Sequence, residues 1–216
     1  MRTKNKFYLL FTGTLLLLTA CNNQEDNSAR SQTQDSVIID NIVNEVVNDV
    51  IVNKPTTSTF TFNNLKNQSS ILNVKNDVYD FTNIKQPIVM VSLASTWCPP
   101  CRGEVPHLNS LQKKFKDNLF ILSALVYDDI KDEELKKLII SEKVHFYVST
   151  DQKENLKFSD MVSKKLGIVD NFTLPLMILF ANGKYFTHYE GSMPEEMIES
   201  DIRQLLEKIK RQETKG

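Results

Sequence analysis

Two of the chain's three cysteines, Cys98 and Cys101, stand three residues apart with Pro99 and Pro100 between them, directly after the sole tryptophan, Trp97. A Cys-x-x-Cys pair can ligate a metal, anchor a haem, close a structural disulfide or cycle between dithiol and disulfide. A c-type haem needs histidine after the second cysteine, and Arg102 stands there. A structural zinc site wants four ligands, but His107, His145 and His188 are scattered and no second cysteine pair exists. A permanent disulfide would close a very short loop and restrict little of the unfolded chain. Zinc and a permanent disulfide remain the lesser readings. Redox cycling fits the placement best.

The flanking pattern explains why. "PIVMVSLAS", residues 87–95, is a nearly continuous apolar run of the kind that forms a strand buried on both faces. After the pair, Val105, Leu108, Leu111 and Phe115 fall at helical spacing. Cys98 is therefore expected at a helix N-terminus, where unpaired backbone N–H groups favour thiolate and lower the thiol pKa. Cys101, one turn on, is placed to resolve a mixed disulfide.

The other elements follow from pattern. Residues 57–64 and 69–74 read as short strands, and "NLFILSALVYD", 118–128, as a second buried strand. Residues 132–143 form an amphipathic helix with acidic residues first. Residues 144–151 read as a strand, and 158–168 as a helix closed by Gly167. Asn182-Gly183 marks a hairpin between two further strands. A C-terminal helix follows, with Pro194 near its start. Such alternation predicts an α/β domain with a central mixed sheet flanked by helices.

The motif "WCPPCRGEVPHLNSL" and the stretch "LGIVDNFTLPLMILFANGKYFTHYEG" together resemble a thioredoxin fold. More narrowly they resemble the TlpA/ResA/CcmG group of membrane-anchored, periplasmic thiol:disulfide oxidoreductases, here with an N-terminal strand extension. The resemblance runs roughly from Thr59 to Lys210. It implies Cys98 as nucleophile, Cys101 as its buried partner and Glu104 as the active-site glutamate. Glu104 lies one helical turn beyond Cys101, within reach of proton exchange with that thiol; its other reading is a solvated helix residue. Pro106 matches the proline inside the active-site helix. Pro175 matches the cis-proline facing the cysteines, although sequence alone favours a trans bond. Trp97, Pro99, Pro100, Leu174 and Pro175 would line the substrate groove. The other reading of Trp97 is a core aromatic. Two departures stand out: Ser92 occupies the position of thioredoxin's buried aspartate, and Leu174 is larger than the residue usual before the cis-proline.

The resemblance implies a reductase of client-protein disulfides, fed by a membrane electron donor of the DsbD/CcdA type, with cytochrome c maturation among the implied tasks. No metal or cofactor is expected. Two alternatives stay open: an oligomeric isomerase or oxidase, and a non-catalytic module that binds clients in the same groove.

The N-terminal region points to the cell envelope. Arg2, Lys4 and Lys6 precede an apolar run from Phe7 to Ala20, short for a membrane span of ~20 residues and shaped like a secretory signal. "LTAC" resembles a lipobox, which makes Cys21 the lipidation site and residues 1–20 the leader. Disulfides persist outside the cytoplasm, in keeping with a periplasm-facing lipoprotein at the inner or outer membrane. Loss of the leader removes three basic residues and leaves 23 against 27 acidic ones, so no basic surplus points to nucleic acid. Residues 21–36 are polar and aperiodic, as a disordered tether would be. In residues 37–53, Val and Ile recur as a helical stripe. That stripe serves either self-association or packing on its own domain. Residues 54–216 form the thioredoxin-like domain.

Overall fold

The computed structural model describes residues 57–168 and 172–214. The expected leader, Cys21, the tether and the Val/Ile helix lie outside the described residues. Eight strands form one sheet in the order β1-β2-β3-β8-β7-β4-β5-β6. They are β1 (Thr57–Asn63), β2 (Ser69–Lys75), β3 (Val78–Phe81), β4 (Ile88–Ala94), β5 (Leu119–Leu125), β6 (Tyr147–Ser149), β7 (Leu176–Ala181) and β8 (Lys184–Glu190). Four helices complete the described residues: α1 (Pro99–Lys114), α2 (Asp132–Ser141), α3 (Gln152–Leu166) and α4 (Glu195–Glu213). β4 is parallel to β5 and antiparallel to β7, and β5 is parallel to β6.

β4 sits centrally and sends alternate residues to opposite faces, as the period of a strand requires. Ile88 and Met90 pack with Leu108 and Leu111 of α1 and Ile198 and Ile202 of α4. Val89, Val91 and Leu93 pack with Phe158 and Val162 of α3 and with the aromatic faces of β1 and β3. Burial on both sides explains the unbroken apolar run.

Strands β1 to β3 form the N-terminal extension. β3 was not foreseen in the sequence. It joins the extension to the main sheet through Val78 opposite Lys184 and the Tyr79 amide donating to the Gly183 carbonyl at 2.7 Å. The hairpin at Asn182-Gly183 has φ of +48° and +71°, the primed turn that matches strand twist. A Cβ on Gly183 would meet the Tyr79 carbonyl oxygen at 2.9 Å, so this junction demands glycine.

Three other boundaries differ from the sequence reading. β5 stops at Leu125 instead of running to Asp128, because Asn155 of α3 donates its Nδ2 to the Leu125 carbonyl at 2.8 Å and takes it out of the ladder. β6 is only three residues long. α3 begins at Gln152, two turns early, because the Asp151 carboxylate caps it by accepting the Glu154 amide at 3.1 Å.

Candidate active site

The site lies at the end of the sheet where β4 and β5 finish and β7 begins. Three loops meet there, and β4 stands between β7 and β5. The loop after β4 carries Cys98, so it is flanked by the loop after β5 on one side and by the loop before β7 on the other.

A short network fixes the loop after β4. The Val126 amide donates to the Ala94 carbonyl at 2.9 Å, and Ser95 Oγ donates to the Val126 carbonyl at 2.5 Å. The buried Asp128 carboxylate accepts the Thr96 amide at 2.5 Å, the Thr96 hydroxyl at 3.0 Å and the Ile130 amide at 3.2 Å. The indole Nε1 of Trp97 donates to the Tyr127 carbonyl at 2.8 Å. Trp97 is 61% exposed, which places it beside the thiol and removes it from the core.

Cys98 is the N-cap of α1, with φ −86° and ψ 111°. Pro99 and Pro100 follow at the first helical positions, where a missing N–H costs least. The Cys101 amide donates to Cys98 Sγ at 3.2 Å, and the Arg102 amide to the Cys98 carbonyl at 3.1 Å. The two cysteines are joined as a disulfide with Cα atoms 5.3 Å apart.

The two sulfurs face different surroundings. Cys98 lines an open groove of about 780 Å³ together with Trp97, Pro99, Pro100, Tyr127 and Leu174. Cys101 lines a separate small pocket of about 70 Å³ together with Ser92, Ser123, Val105 and Leu135, and both cysteines are nearly buried, at 4% and 6% exposure. Ser92 and Ser123 are register partners on β4 and β5 and are buried. A small polar floor thus replaces the aspartate that thioredoxin carries there.

Glu104 is 1% exposed. Its Oε2 accepts the Met193 amide at a long 3.4 Å, and its Oε1 is buried without a hydrogen-bond partner. Burial pushes this carboxyl above its ordinary value, and nearby Glu195 adds to the rise; the Met193 amide and the His107 ring act against it. At i+3 from Cys101, Glu104 is its neighbour on the helix surface. The solvated-helix reading does not hold. Pro106 lies inside α1, as expected.

The Leu174–Pro175 bond is cis. Leu174 lines the groove with Cys98, whereas Pro175 is buried just behind it. The sequence reading missed the other groove residues, among them Tyr127, Ile168 and Phe172. It also missed Asp128 and Met193. The Asp128-Asp129 pair after an apolar run was a turn signal that could have placed Tyr127 in a loop. A larger depression of about 1260 Å³ lies between α1, α2 and β6, and none of the predicted site residues lines it.

A central sheet with this topology, a disulfide at the first turn of α1 and a cis-proline opposite define a thioredoxin-fold protein. The fold is shared with the thiol:disulfide interchange protein of Chlorobium tepidum TLS (TM-score 0.52, 16% identity, covering 72% of this chain and 99% of that one). It is also shared with a secreted thiol-disulfide isomerase of Corynebacterium glutamicum (TM-score 0.53, 13% identity, 71% and 85%). The Redoxin family model matches residues 50–206, and the chain belongs to that family. Among curated proteins it is similar to the thiol-disulfide oxidoreductase ResA of Bacillus thuringiensis subsp. konkukian, 25% identical over 118 residues. That match covers 54% of this chain and 62% of the relative's length.

Proposed function

We propose that this protein is a thiol:disulfide oxidoreductase that reduces disulfides in client proteins. The observation that carries this reading is the Cys98–Cys101 disulfide at the N-terminal turn of α1, with Cys98 lining the groove between Trp97 and Leu174 and with Glu104 buried one helical turn beyond Cys101. In the dithiol form, the Cys98 thiolate attacks one sulfur of the client disulfide. A mixed disulfide forms and the other client sulfur leaves as a thiolate. Cys101 loses its proton, with Glu104 as acceptor directly or through water, and its thiolate attacks Cys98. The Cys98–Cys101 disulfide re-forms and the second client thiolate departs. Two electrons pass to the client, which ends as a dithiol after taking two protons. Leu174 and Pro175 offer the backbone edge along which the client strand lies.

In the cell, Cys21 anchors the protein by lipid on the periplasmic side, and a membrane thiol donor of the DsbD/CcdA type restores the dithiol. Apocytochrome c is among the clients this role suits. The test is a Cys101→Ser variant expressed as the full chain in cells. Mixed disulfides through Cys98 should accumulate with envelope proteins, and the wild type should reduce insulin. Absence of both a trapped client and insulin reduction would sink the reading.

A further inference from the structure

Tyr127 has no part in the chemistry above, yet its geometry is costly. Its φ is +52°, in the left-handed region that bulky L-residues rarely adopt. Its side chain is 61% exposed, so the strain is not offset by burial. The backbone on both sides is pinned to the loop that carries the thiol. Val126 is fully buried and bonded to Ala94 and Ser95, Asp128 is clamped on Thr96, and Tyr127's own carbonyl holds the Trp97 indole. Strain held in place by its surroundings clusters where a side chain is needed for function.

The position fits such a need. Tyr127 follows β5 and Leu174 precedes β7, so the two lie on opposite sides of Cys98 along the sheet end. Any client whose sulfur reaches Cys98 must cross between them. On the β5 side it meets two exposed aromatic rings, Trp97 and Tyr127. The charged residues of the groove, Asp160 and Lys164, are paired with each other at 2.8 Å, leaving no net charge to favour a charged client.

We infer that Tyr127 is a specificity-determining residue. With Trp97 it forms an aromatic platform on the β5 side of Cys98 that receives a large apolar side chain immediately flanking the client's cysteine. This deepens the oxidoreductase reading and rests on Cys98 being the attacking thiol. Extended peptides with Phe or Leu beside the cysteine are the preferred class. Those with Ser or Asp there bind poorly.

The experiment uses the full chain in its dithiol form, mixed in single turnover with symmetrical disulfides of short peptides carrying Phe, Ser or Asp beside the cysteine. Wild type should reduce the Phe peptide about tenfold faster than the Ser peptide at limiting concentration, the scale of one well-packed aromatic contact. Tyr127→Gly should bring that ratio to within about twofold, and Tyr127→Phe should keep it. Tyr127→Gly should also melt no lower than wild type, because glycine adopts positive φ without strain. A ratio near one in wild type, a ratio unchanged in Tyr127→Gly, or a lower melting temperature in that variant would each overturn the inference. Glutathione disulfide is the control for the underlying reading. If the wild-type dithiol fails to reduce it, the assignment of Cys98 falls first and this inference with it.

Discussion

The two cysteines are three residues apart, but the molecule treats them as belonging to different regions. Around Cys98 the surface is open, aromatic and held by loops, with Trp97 and Tyr127 both 61% exposed. Cys101, as nearly buried as Cys98, has different neighbours, with Glu104 buried one helical turn on and two serines lining a small pocket. The two sulfurs are bonded to each other, and the difference lies in which residues line the pocket on either side of them. Under the proposed function the groove side would recognise a client and the Glu104 side would hold or release a proton. The outer half tolerates strain, and the inner half tolerates an unpaired buried carboxyl oxygen.

The largest expected effect breaks the inner half. Glu104→Gln keeps the shape and removes the exchangeable proton. Resolution of the mixed disulfide should slow roughly 100-fold where that proton transfer limits the rate, measured by stopped-flow release of a reduced peptide. A second readout comes from stability. The folded-state pKa lies above the ordinary 4.5, so between those two values the folded state binds more protons than the unfolded chain. Stability is then full below pH 4.5 and falls as pH rises through the raised value. His107 and Glu195 face this carboxyl and modulate the window in opposite senses. Wild type should lose stability over that window relative to Glu104→Gln. Parallel pH–stability curves for the two proteins would return Glu104 to a passive role.

Next in size is a change that loosens the outer half while leaving Cys98 in place. Asp128→Ala strips the Thr96 amide of its partner and frees the Ile130 amide. Leaving a buried donor unsatisfied costs about 1–3 kcal/mol, and these two part-buried amides, which water can reach in part, together stay within that range. Denaturant unfolding should show a loss of about 2 kcal/mol, with Trp97 fluorescence becoming more solvent-quenched in the native state. A variant with unchanged stability and unchanged Trp97 emission would show that the Asp128 clamp does not shape the groove.

How far the sequence revealed these two regions differs as well. The inner half was legible. Ile88–Ala94 reads as a doubly buried strand from its apolar run and α1 from its 3.6-residue spacing, while Glu104 was placed through resemblance. Those signals are local and periodic. The outer half was only half legible. Trp97, Pro99, Pro100 and Leu174 were placed through resemblance, but Tyr127 and Asp128 were absorbed into an apolar run that pattern alone extends to residue 128. β5 ends where Asn155, 30 residues later in the chain, takes the Leu125 carbonyl and Tyr127 turns the chain at φ +52°. No local pattern carries such a bond. β3 escaped for the same reason. Four residues that exist as a strand because of pairing with β2 and one register partner on β8 leave little periodic trace. The early start of α3 was recoverable, since Asp151 followed by Glu154 is a capping signature.

The smallest effect tests what the two prolines do at the boundary between the halves. Neither Pro99 nor Pro100 has a backbone N–H. The first amide able to reach Cys98 Sγ within the motif is that of Cys101, at 3.2 Å. A helix N-terminus normally offers several such donors to an anion, so this cap leaves the Cys98 thiolate less stabilised than the position allows. A less stabilised thiolate favours the disulfide and makes the dithiol a stronger reductant. Pro99→His restores one N–H and adds an imidazole on the exposed side of the turn. If these contacts stabilise the thiolate by ~1.4 kcal/mol, the potential rises by ~30 mV for the two-electron couple. The Cys98 pKa should fall in step, read from the thiolate absorbance against pH. Titration against glutathione gives the potential directly. A potential that stays constant or falls would mean that Pro99 only shapes the turn, and that the reducing character of the site originates in the inner half.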